Sequence, residues 1–400
     1  MQKTKSEKLL WRKLRFTTII LLLYLLGRRI PVYGIDADLY LETITDATTI
    51  LQMTIGGDVR RISVFALSIS PYMIASIAIM MVTTIRKAVS RSRFSLKKTR
   101  RTLWILTLFL AIFQGIAAVG NLAFSVDPSM IPLARSIAAL QMTTGAMLIL
   151  WMSEQNKEYG FGGQTILILV NLFDSVITMV KDCTLEALLI PGAFSLGAIF
   201  VTLIMEISEF RIPVQRISIY SIYEEKNYQA FKLNPIGVMP AMFATAIFTL
   251  LQLIIIALQY VLRDVLVLDV LVESLKLDYL PGIWTYIGIL YALTIGFSLI
   301  FLSPGEIAEQ MLKTNDSVCN VPSGKPTKKY LTKVVIVLAL ISATIMSICV
   351  GAPLLTQYYL DIQQGLLMLP SISMMLTGVC VSIIREWETI VSYDSYRIFL

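Results

Sequence analysis

Apolar residues in this chain are gathered into long runs that are separated by shorter polar stretches. Ten runs are nearly free of charge and approach the roughly 20 residues that a helix needs to cross a bilayer. We predict membrane spans at residues 14–33, 62–84, 103–123, 136–153, 165–180, 187–205, 236–261, 283–302, 334–352 and 366–384. The first run is uncharged only over residues 16–27, so Arg15 and Arg28 are expected to extend from its ends toward the membrane surface. The pattern predicts an all-α polytopic membrane protein.

Composition supports this class and limits the chemistry. The 400 residues are 56% hydrophobic and 15% charged, whereas soluble domains carry about 25% charged residues. There is no histidine, which removes the commonest general base and metal ligand. The four cysteines show no paired spacing for a disulfide framework or a metal site, so we expect neither a metal nor a cofactor. The basic N-terminus is not followed by a small-residue cleavage site, and we therefore predict that the first helix is retained.

The charges between the spans predict their orientation. The loop between spans two and three carries eight basic residues and no acidic one: Arg86, Lys87, Arg91, Arg93, Lys97, Lys98, Arg100 and Arg101. The N-terminal tail is also basic, whereas the loop after span one is acidic. Excess Lys and Arg mark the cytoplasmic side, so we expect both termini in the cytoplasm of a plasma-membrane protein. A basic cluster of this kind is also compatible with binding to anionic lipid or RNA.

Two segments in different parts of the chain resemble each other. Residues 71–76 (PYMIAS) and residues 240–245 (PAMFAT) each lie in the second apolar run of their half. Prolines that interrupt corresponding hydrophobic segments are typical of duplicated, transporter-like bundles, in which the broken helix faces protein or water. Ordinary kinked helices explain the two prolines equally well.

Two predicted cytoplasmic loops are longer than a helix bundle requires. They cover residues 206–234 and 303–333 and are polar, mixed in charge and punctuated by proline. Solvated connectors are the simplest interpretation. Loops of this length without an evident fold of their own are more often functional, and we favour a docking surface.

The stretch before span two contains a glycine pair followed by charged residues. Gly56, Gly57, Asp58, Arg60 and Arg61 lead without a break into an apolar segment. This order suggests a segment that enters the membrane part-way, which requires polar backbone to be surrounded by protein or water. A plain loop that leads into span two explains the stretch equally well.

Several of these segments resemble SecY, the channel subunit of the bacterial protein translocase. Residues 30–36 resemble the end of its first helix, and residues 56–77 resemble its plug and second helix. Residues 232–241 resemble the start of its seventh helix, and residues 304–308 and 321–326 resemble the loop between its eighth and ninth helices. The segments occur in family order, and ten spans with a cytoplasmic N-terminus agree with the family.

The resemblance implies an hourglass pore between two pseudo-symmetric five-helix halves, residues 1–183 and 184–400. A plug near residues 55–66 would close the pore, and its residues are Gly56, Gly57, Asp58, Arg60 and Arg61. A ring of apolar side chains at the waist would comprise Ile69, Met73, Leu169, Phe173, Met242 and Met375. Thioether side chains deform around a passing polypeptide, and an apolar constriction excludes water and ions. The methionines have an alternative interpretation as lipid-facing or core residues.

The resemblance also implies a lateral gate between spans two and seven. Its residues would be Pro71, Ser76, Thr83, Gln114, Pro240 and Thr245. Thr83, Gln114 and Thr245 could serve as polar latches across this seam, or they could be ordinary helix polar groups whose hydrogen bonds are satisfied locally.

The partners that the resemblance implies are those of a translocase. A SecA-type motor ATPase would dock on the two long loops through Arg211, Lys325, Lys328 and Lys329. A SecE-like small membrane subunit would clamp the halves, and accessory Sec proteins or ribosomes are further candidates. The substrate would be an unfolded or glycosylated preprotein in contact with the lipid bilayer, with no nucleic acid bound directly. Gly324 and Lys325 lack the upstream glycine of a phosphate-binding loop, and no nucleophile–base pair is readable, so we expect a passive channel and not an enzyme.

Differences from the family pattern favour a divergent member. The plug carries Asp58 and Arg60, Lys325 replaces a usual arginine, and Asp174 lies within span five. They favour the paralogue of the accessory Sec system of Gram-positive bacteria, whose cargo is typically a serine-rich glycosylated adhesin. Asp174 is a functional candidate by its position, or it lines a watery outer funnel. Two other classes remain open, a secondary transporter built on an inverted repeat and an insertase or lipid flippase.

Overall fold

A computed structural model describes residues 5–35, 63–90, 96–120, 122, 124–181, 185–216, 227–261, 271, 274–277, 279–360 and 366–392. The predicted plug residues Gly56, Gly57, Asp58, Arg60 and Arg61 lie outside these described residues.

A helix overlaps each of the ten predicted apolar runs, but the predicted bounds of spans one and two were wrong, because the first helix already ends at Gly27 and the second begins only at Ser70. The helices are α1 (Lys5–Gly27), α2 (Ser70–Ser90), α3 (Leu96–Gly120), α4 (Ile131–Tyr159), α5 (Thr165–Lys181), α6 (Leu185–Ile207), α7 (Met239–Val261), α8 (Leu280–Leu302), α9 (Pro304–Thr314), α10 (Lys325–Leu360) and α11 (Leu369–Val391). Within the described residues, six stretches are long and apolar enough to cross a membrane, and they contain α3, α4, α6, α8, α10 and α11. Shorter apolar stretches lie in α2 and α7. The chain is therefore a multi-pass, predominantly helical membrane protein.

The two prolines of the repeat do not interrupt helices. Pro71 and Pro240 are the second residues of α2 and α7, where the missing N–H group is not needed by the helix. The expectation of proline-broken helices at these two positions was wrong, because the prolines start the helices. Pro191 and Pro353 instead lie inside α6 and α10.

The largest core cluster draws residues from helices of both predicted halves. Helix α2 packs against α3 and α7, and α11 packs against α6, α5 and α1. The segments 1–183 and 184–400 therefore meet through the pairs α2–α7, α5–α11 and α1–α11. Among the helices of the second segment, α8 packs against α10 and α7.

A small β-sheet joins the two long loops. Its strands are β1 (Glu209–Arg216), β2 (Tyr228–Lys232) and β3 (Asp316–Val318), and the antiparallel order is β2–β1–β3. One face covers a separate apolar core that includes Ile212, Phe231, Met311 and Leu331. The all-α prediction was wrong at this point, because the sheet forms only when strands from two loops far apart in the sequence meet.

Candidate functional site

Four of the proposed ring residues are buried within one core. Ile69, Met73, Met242 and Met375 all belong to the largest core cluster, and Leu169 packs against it as a partly buried residue. They come from α2, α5, α7, α11 and the turn that precedes α2. Phe173 does not join this cluster, since 47% of its surface is exposed. The residues that the structure brings together are apolar and rich in methionine, as a deformable constriction requires.

The proposed gate residues lie on helices that are in contact. Helix α2 packs against α7, and Pro71, Pro240 and Thr245 are buried there. The hydroxyl groups of Ser76, Thr83 and Thr245 donate to carbonyl oxygens three or four residues earlier in their own helices, over 2.7–3.0 Å. This is the ordinary way in which Ser and Thr are satisfied within a helix.

Thr245 makes a second contact, and Gln114 is the remaining gate residue. The Thr245 hydroxyl also lies 3.4 Å from the hydroxyl of Tyr286 on α8. Gln114 is buried in α3, which packs against α2.

The segment just before α2 is a compact turn seated among other helices. Residues 63–69, which we call the docked turn, bridge Pro31 at Ser63, and the Val64 amide donates to the Ile30 carbonyl at 3.0 Å. Hydrogen bonds within the turn run from Ala66 to Ser63 and from Ser68 to Phe65. The turn ends in Ile69, one of the proposed ring residues, and Ile69 belongs to the largest core cluster.

Two glycines allow the docked turn to sit close to its neighbours. A Cβ atom on Gly145 of α4 would lie 1.9 Å from the Val64 carbonyl oxygen. A Cβ atom on Gly27 of α1 would lie 2.1 Å from the Phe65 ring, which also stacks on Tyr24 with ring centroids 6.0 Å apart. Both distances are far below the range of real Cβ contacts, so the turn approaches at a distance that only glycine permits.

A buried hydrogen-bond network joins the docked turn to two helices through Ser68 of the turn, Tyr24 of α1 and Asn171 of α5. The Tyr24 hydroxyl donates to Asn171 Oδ1 at 2.5 Å and lies 2.8 Å from Ser68 Oγ, and Asn171 Nδ2 donates to Ser68 Oγ at 2.9 Å. Each of the three residues is 3% exposed or less. We call Tyr24, Ser68 and Asn171 the polar triad. It ties α1, the docked turn and α5 together in an apolar surrounding.

An ion pair continues the polar contact between α1 and α5. Arg28 Nη2 lies 2.7 Å from Asp174 Oδ2, and the Arg28 side chain is almost fully buried. The expectation that Arg28 extends to the membrane surface was wrong, because a carboxylate inside the bundle holds the guanidinium. Asp174 in turn is engaged by a positive charge, as an intramembrane acid requires.

A second polar contact on α1 lies two turns before Tyr24. Thr17 Oγ1 donates to Asn156 Oδ1 at 2.8 Å, and the Phe161 amide donates to Thr17 Oγ1 at 2.7 Å. Asn156 Nδ2 donates to the carbonyl oxygens of Phe161 and Gly163. This contact fixes the connection between α4 and α5 and does not involve the docked turn.

The proposed motor contacts are exposed near the sheet. Arg211 projects from β1, lies 4.6 Å from the centroid of the Tyr228 ring and is 3.6 Å from Glu209. Lys325, Lys328 and Lys329 are exposed in the first turns of α10. Leu331 of α10 belongs to the core under the sheet, so α10 and the sheet form one unit.

The sequence prediction missed the polar triad. A usable signal exists, because polar residues stand inside otherwise apolar runs at spacings that share one helix face. Tyr24 and Arg28 are four residues apart, and Asn171 and Asp174 are three residues apart. The sequence cannot show that these two faces meet each other.

Comparison with known proteins gives a consistent result. The SecY family model matches residues 63–384. The accessory Sec system protein translocase subunit SecY2 of Leuconostoc gelidum is 29% identical over 375 residues, with 86% of each chain covered. The SecY2 subunit of Streptococcus agalactiae serotype Ia is 27% identical over 392 residues, covering 96% of this chain and 95% of the relative.

Solved structures share the fold. The structure described as that of a protein conducting channel superimposes with a TM-score of 0.68 at 16% identity, covering 97% of this chain and 93% of the other. Sec61 in the canine ribosome–channel complex from the endoplasmic reticulum gives a TM-score of 0.62 at 16% identity, with the same coverage.

Proposed function

Because the chain belongs to the SecY family, we propose that it is the protein-conducting channel subunit of an accessory Sec translocase. The observation that carries this proposal is the buried, methionine-rich cluster of Ile69, Met73, Met242 and Met375 between helices of the two halves, which we assign as the pore constriction. Such a constriction excludes water and ions when it is empty and adapts its shape to a polypeptide when it is occupied.

The proposed topology is that of ten spans in two five-helix halves, residues 1–183 and 184–400, with both termini in the cytoplasm. A helix at every predicted run and the basic loop between α2 and α3 support it. The plug at Gly56–Arg61 and a lateral gate between α2 and α7 complete the channel. The contact between α2 and α7 supports the position of the gate.

The proposed partners follow from the exposed cytoplasmic unit. A SecA-type motor docks on the sheet and the first turns of α10 through Arg211, Lys325, Lys328 and Lys329, which are all exposed. The motor supplies the energy, since the channel itself is passive. A SecE-like subunit clamps the two halves, and the cargo is a preprotein of the accessory system, such as a serine-rich glycosylated adhesin.

One observation weakens the alternative of a secondary transporter. Ion coupling would need an available acid near the middle of a span, and Asp174 was the candidate. In the structure this carboxylate lies 2.7 Å from the buried Arg28 guanidinium. We therefore favour the channel over the secondary transporter.

Cysteine crosslinking to a stalled export substrate tests the proposal. In a variant without the four native cysteines, a single cysteine at Met73, Met242 or Met375 should crosslink to the translocating chain. The matched control is a cysteine at Ile254, which lies on the same helix as Met242 and is 48% exposed on the outside of the bundle. Equal labelling at all four positions, or none at any, would remove the assignment of the constriction.

A further inference from the structure

The polar triad holds the residue that immediately precedes the constriction. We propose that Tyr24, Ser68 and Asn171 are positioning residues for the pore: they keep the docked turn in place against α1, α4 and α5 and thereby keep the constriction sealed while no polypeptide occupies it. This inference rests on the proposed channel function.

The directions of the three hydrogen bonds form a closed ring. Asn171 Nδ2 donates to Ser68 Oγ, and the Tyr24 hydroxyl donates its single proton to Asn171 Oδ1. The remaining contact, between the Ser68 and Tyr24 hydroxyl groups at 2.8 Å, therefore has Ser68 as its donor. Hydrogen bonds linked in this way polarise one another, and buried groups have no water to replace a lost partner. The ring is thus a strong local constraint on Ser68.

The backbone of Ser68 shows that the docked turn is held against a conformational preference. Its φ is 45°, in the left-handed region that non-glycine residues rarely adopt. Such a conformation persists only where the surroundings determine it fully, and here the surroundings are the triad and the close contacts of the turn with Gly27 and Gly145. Release of Ser68 from the triad would let the backbone relax, so the strain favours undocking while the hydrogen bonds oppose it.

The docked turn transmits this constraint to the ring. Ile69 follows Ser68 directly, and its carbonyl oxygen accepts from the Met73 amide at 3.0 Å. Ile69 and Met73 are therefore fixed relative to each other at the start of α2. A displacement of Ser68 moves both ring residues together.

The arrangement also preserves the site to which the turn returns. Withdrawal of the turn breaks the two hydrogen bonds of Ser68, and Asn171 Nδ2 then loses its acceptor. The bond between the Tyr24 hydroxyl and Asn171 Oδ1 joins α1 to α5 and does not depend on the turn. Tyr24 and Asn171 therefore stay together after the turn has left, while the lost partner of Asn171 Nδ2 favours the return of Ser68.

The test measures ion leak through the resting channel. The channel, with its partner subunits, is reconstituted into vesicles that contain a halide-sensitive dye, and halide entry is followed without motor or substrate. Asn171→Leu removes both amide contacts and should raise the leak about tenfold, in line with the loss of ordinary buried hydrogen bonds. Tyr24→Phe removes one hydroxyl group and should give a smaller rise in the same direction. The double variant should leak less than the product of the two single effects, because the bonds form one ring and are not independent.

Two substitutions at Ser68 test separately whether the strained backbone of this residue affects the leak. Ser68→Ala and Ser68→Gly both remove the hydroxyl, but only glycine adopts a positive φ without cost. Ser68→Ala should therefore leak more than Ser68→Gly. A purely structural effect of losing the hydroxyl would make the two variants equal.

Matched controls come from the second polar contact on α1. Thr17→Val and Asn156→Leu disrupt an equally buried hydroxyl–amide pair that does not touch the docked turn. Both should lower the thermal stability of the purified protein without raising the leak. If these controls leak as much as Asn171→Leu, or if the triad variants seal as well as the wild type, the triad does not position the constriction.

Export by the wild type separates this inference from the function on which it rests. Vesicles that also receive motor and preprotein should export it. If the wild type exports and the triad variants remain sealed, this inference alone fails. If the crosslinks at Met73, Met242 and Met375 and the export are both absent in the wild type, the proposed function fails and takes this inference with it.

Discussion

Substitution of Gly145 by alanine should loosen the docked turn. The new Cβ atom would lie 1.9 Å from the Val64 carbonyl oxygen and 2.8 Å from its carbonyl carbon, and real Cβ contacts below 3.0 Å are essentially never seen. The turn must therefore withdraw by about 1.1 Å, or α4 must shift by the same amount. The obstacle is backbone and cannot rotate aside, and the Val64 amide is itself bonded to Ile30.

The cost of this overpacking is about 1–3 kcal/mol in the free energy of unfolding. A matched control separates it from the general effect of replacing glycine in a helix. Gly288 lies in α8, and in the described part of the chain no atom of another element lies within 4 Å of an added Cβ, so Gly288→Ala changes only the helix preference. Both variants gain the same helix preference from replacing glycine by alanine. The difference between their free energies of unfolding therefore measures the cost of overpacking alone.

The measurement is thermal unfolding of the two purified variants in detergent, followed by tryptophan fluorescence, together with halide leak in vesicles. Gly145→Ala should unfold at a lower temperature than Gly288→Ala and should also leak, because Ile69 moves with the turn. Equal stability of the two variants would refute the close docking of this turn against α4. A destabilised Gly145→Ala channel that remains sealed would instead refute the transmission of the displacement from the turn to Ile69.

Two further predictions concern the cytoplasmic unit and the gate. Lys325→Glu should weaken motor binding and reduce ATPase stimulation about two- to fivefold, as expected for an exposed charge at the edge of an interface, whereas Lys157→Glu at the end of α4 should not. A Lys325→Glu channel that loses export yet binds its motor with wild-type affinity would show that Lys325 is not a contact. A disulfide between the Ser76 region of α2 and the Thr245 region of α7 should block export until a reductant is added. Full export with the bridge demonstrably formed would place the seam elsewhere.

The helices were predictable because their cause is local. Each apolar run is long enough to require a helix in a bilayer, and a helix overlaps each run. The ends were less predictable, because helices continue beyond the apolar part. Helix α10, for example, begins at Lys325, nine residues before the predicted span, and its early lysines are exposed. Apolar content marks the part of a helix inside the membrane and not its full length.

The contacts between distant segments were not predictable. Arg28 was expected at the membrane surface because nothing in its own run could neutralise it, and its partner Asp174 lies 146 residues away. The polar triad is hidden for the same reason, since Tyr24, Ser68 and Asn171 are ordinary residues until three separate elements bring them together. Proline was misinterpreted because its effect depends on position, and Pro71 and Pro240 occupy the first helical turn, where proline is favourable.

The shared sheet restricts how these channels can diversify. Strand β1 belongs to the loop after α6 and pairs on one edge with β2 and on the other with β3, which belongs to the loop after α8. A residue inserted or deleted within β1 would shift its register against both neighbours at once and turn its buried side chains outward. The sequences of the two loops can therefore change only in ways that keep them compatible with each other. Chimaeras with related channels should tolerate exchange of both loops together and reject exchange of either one alone.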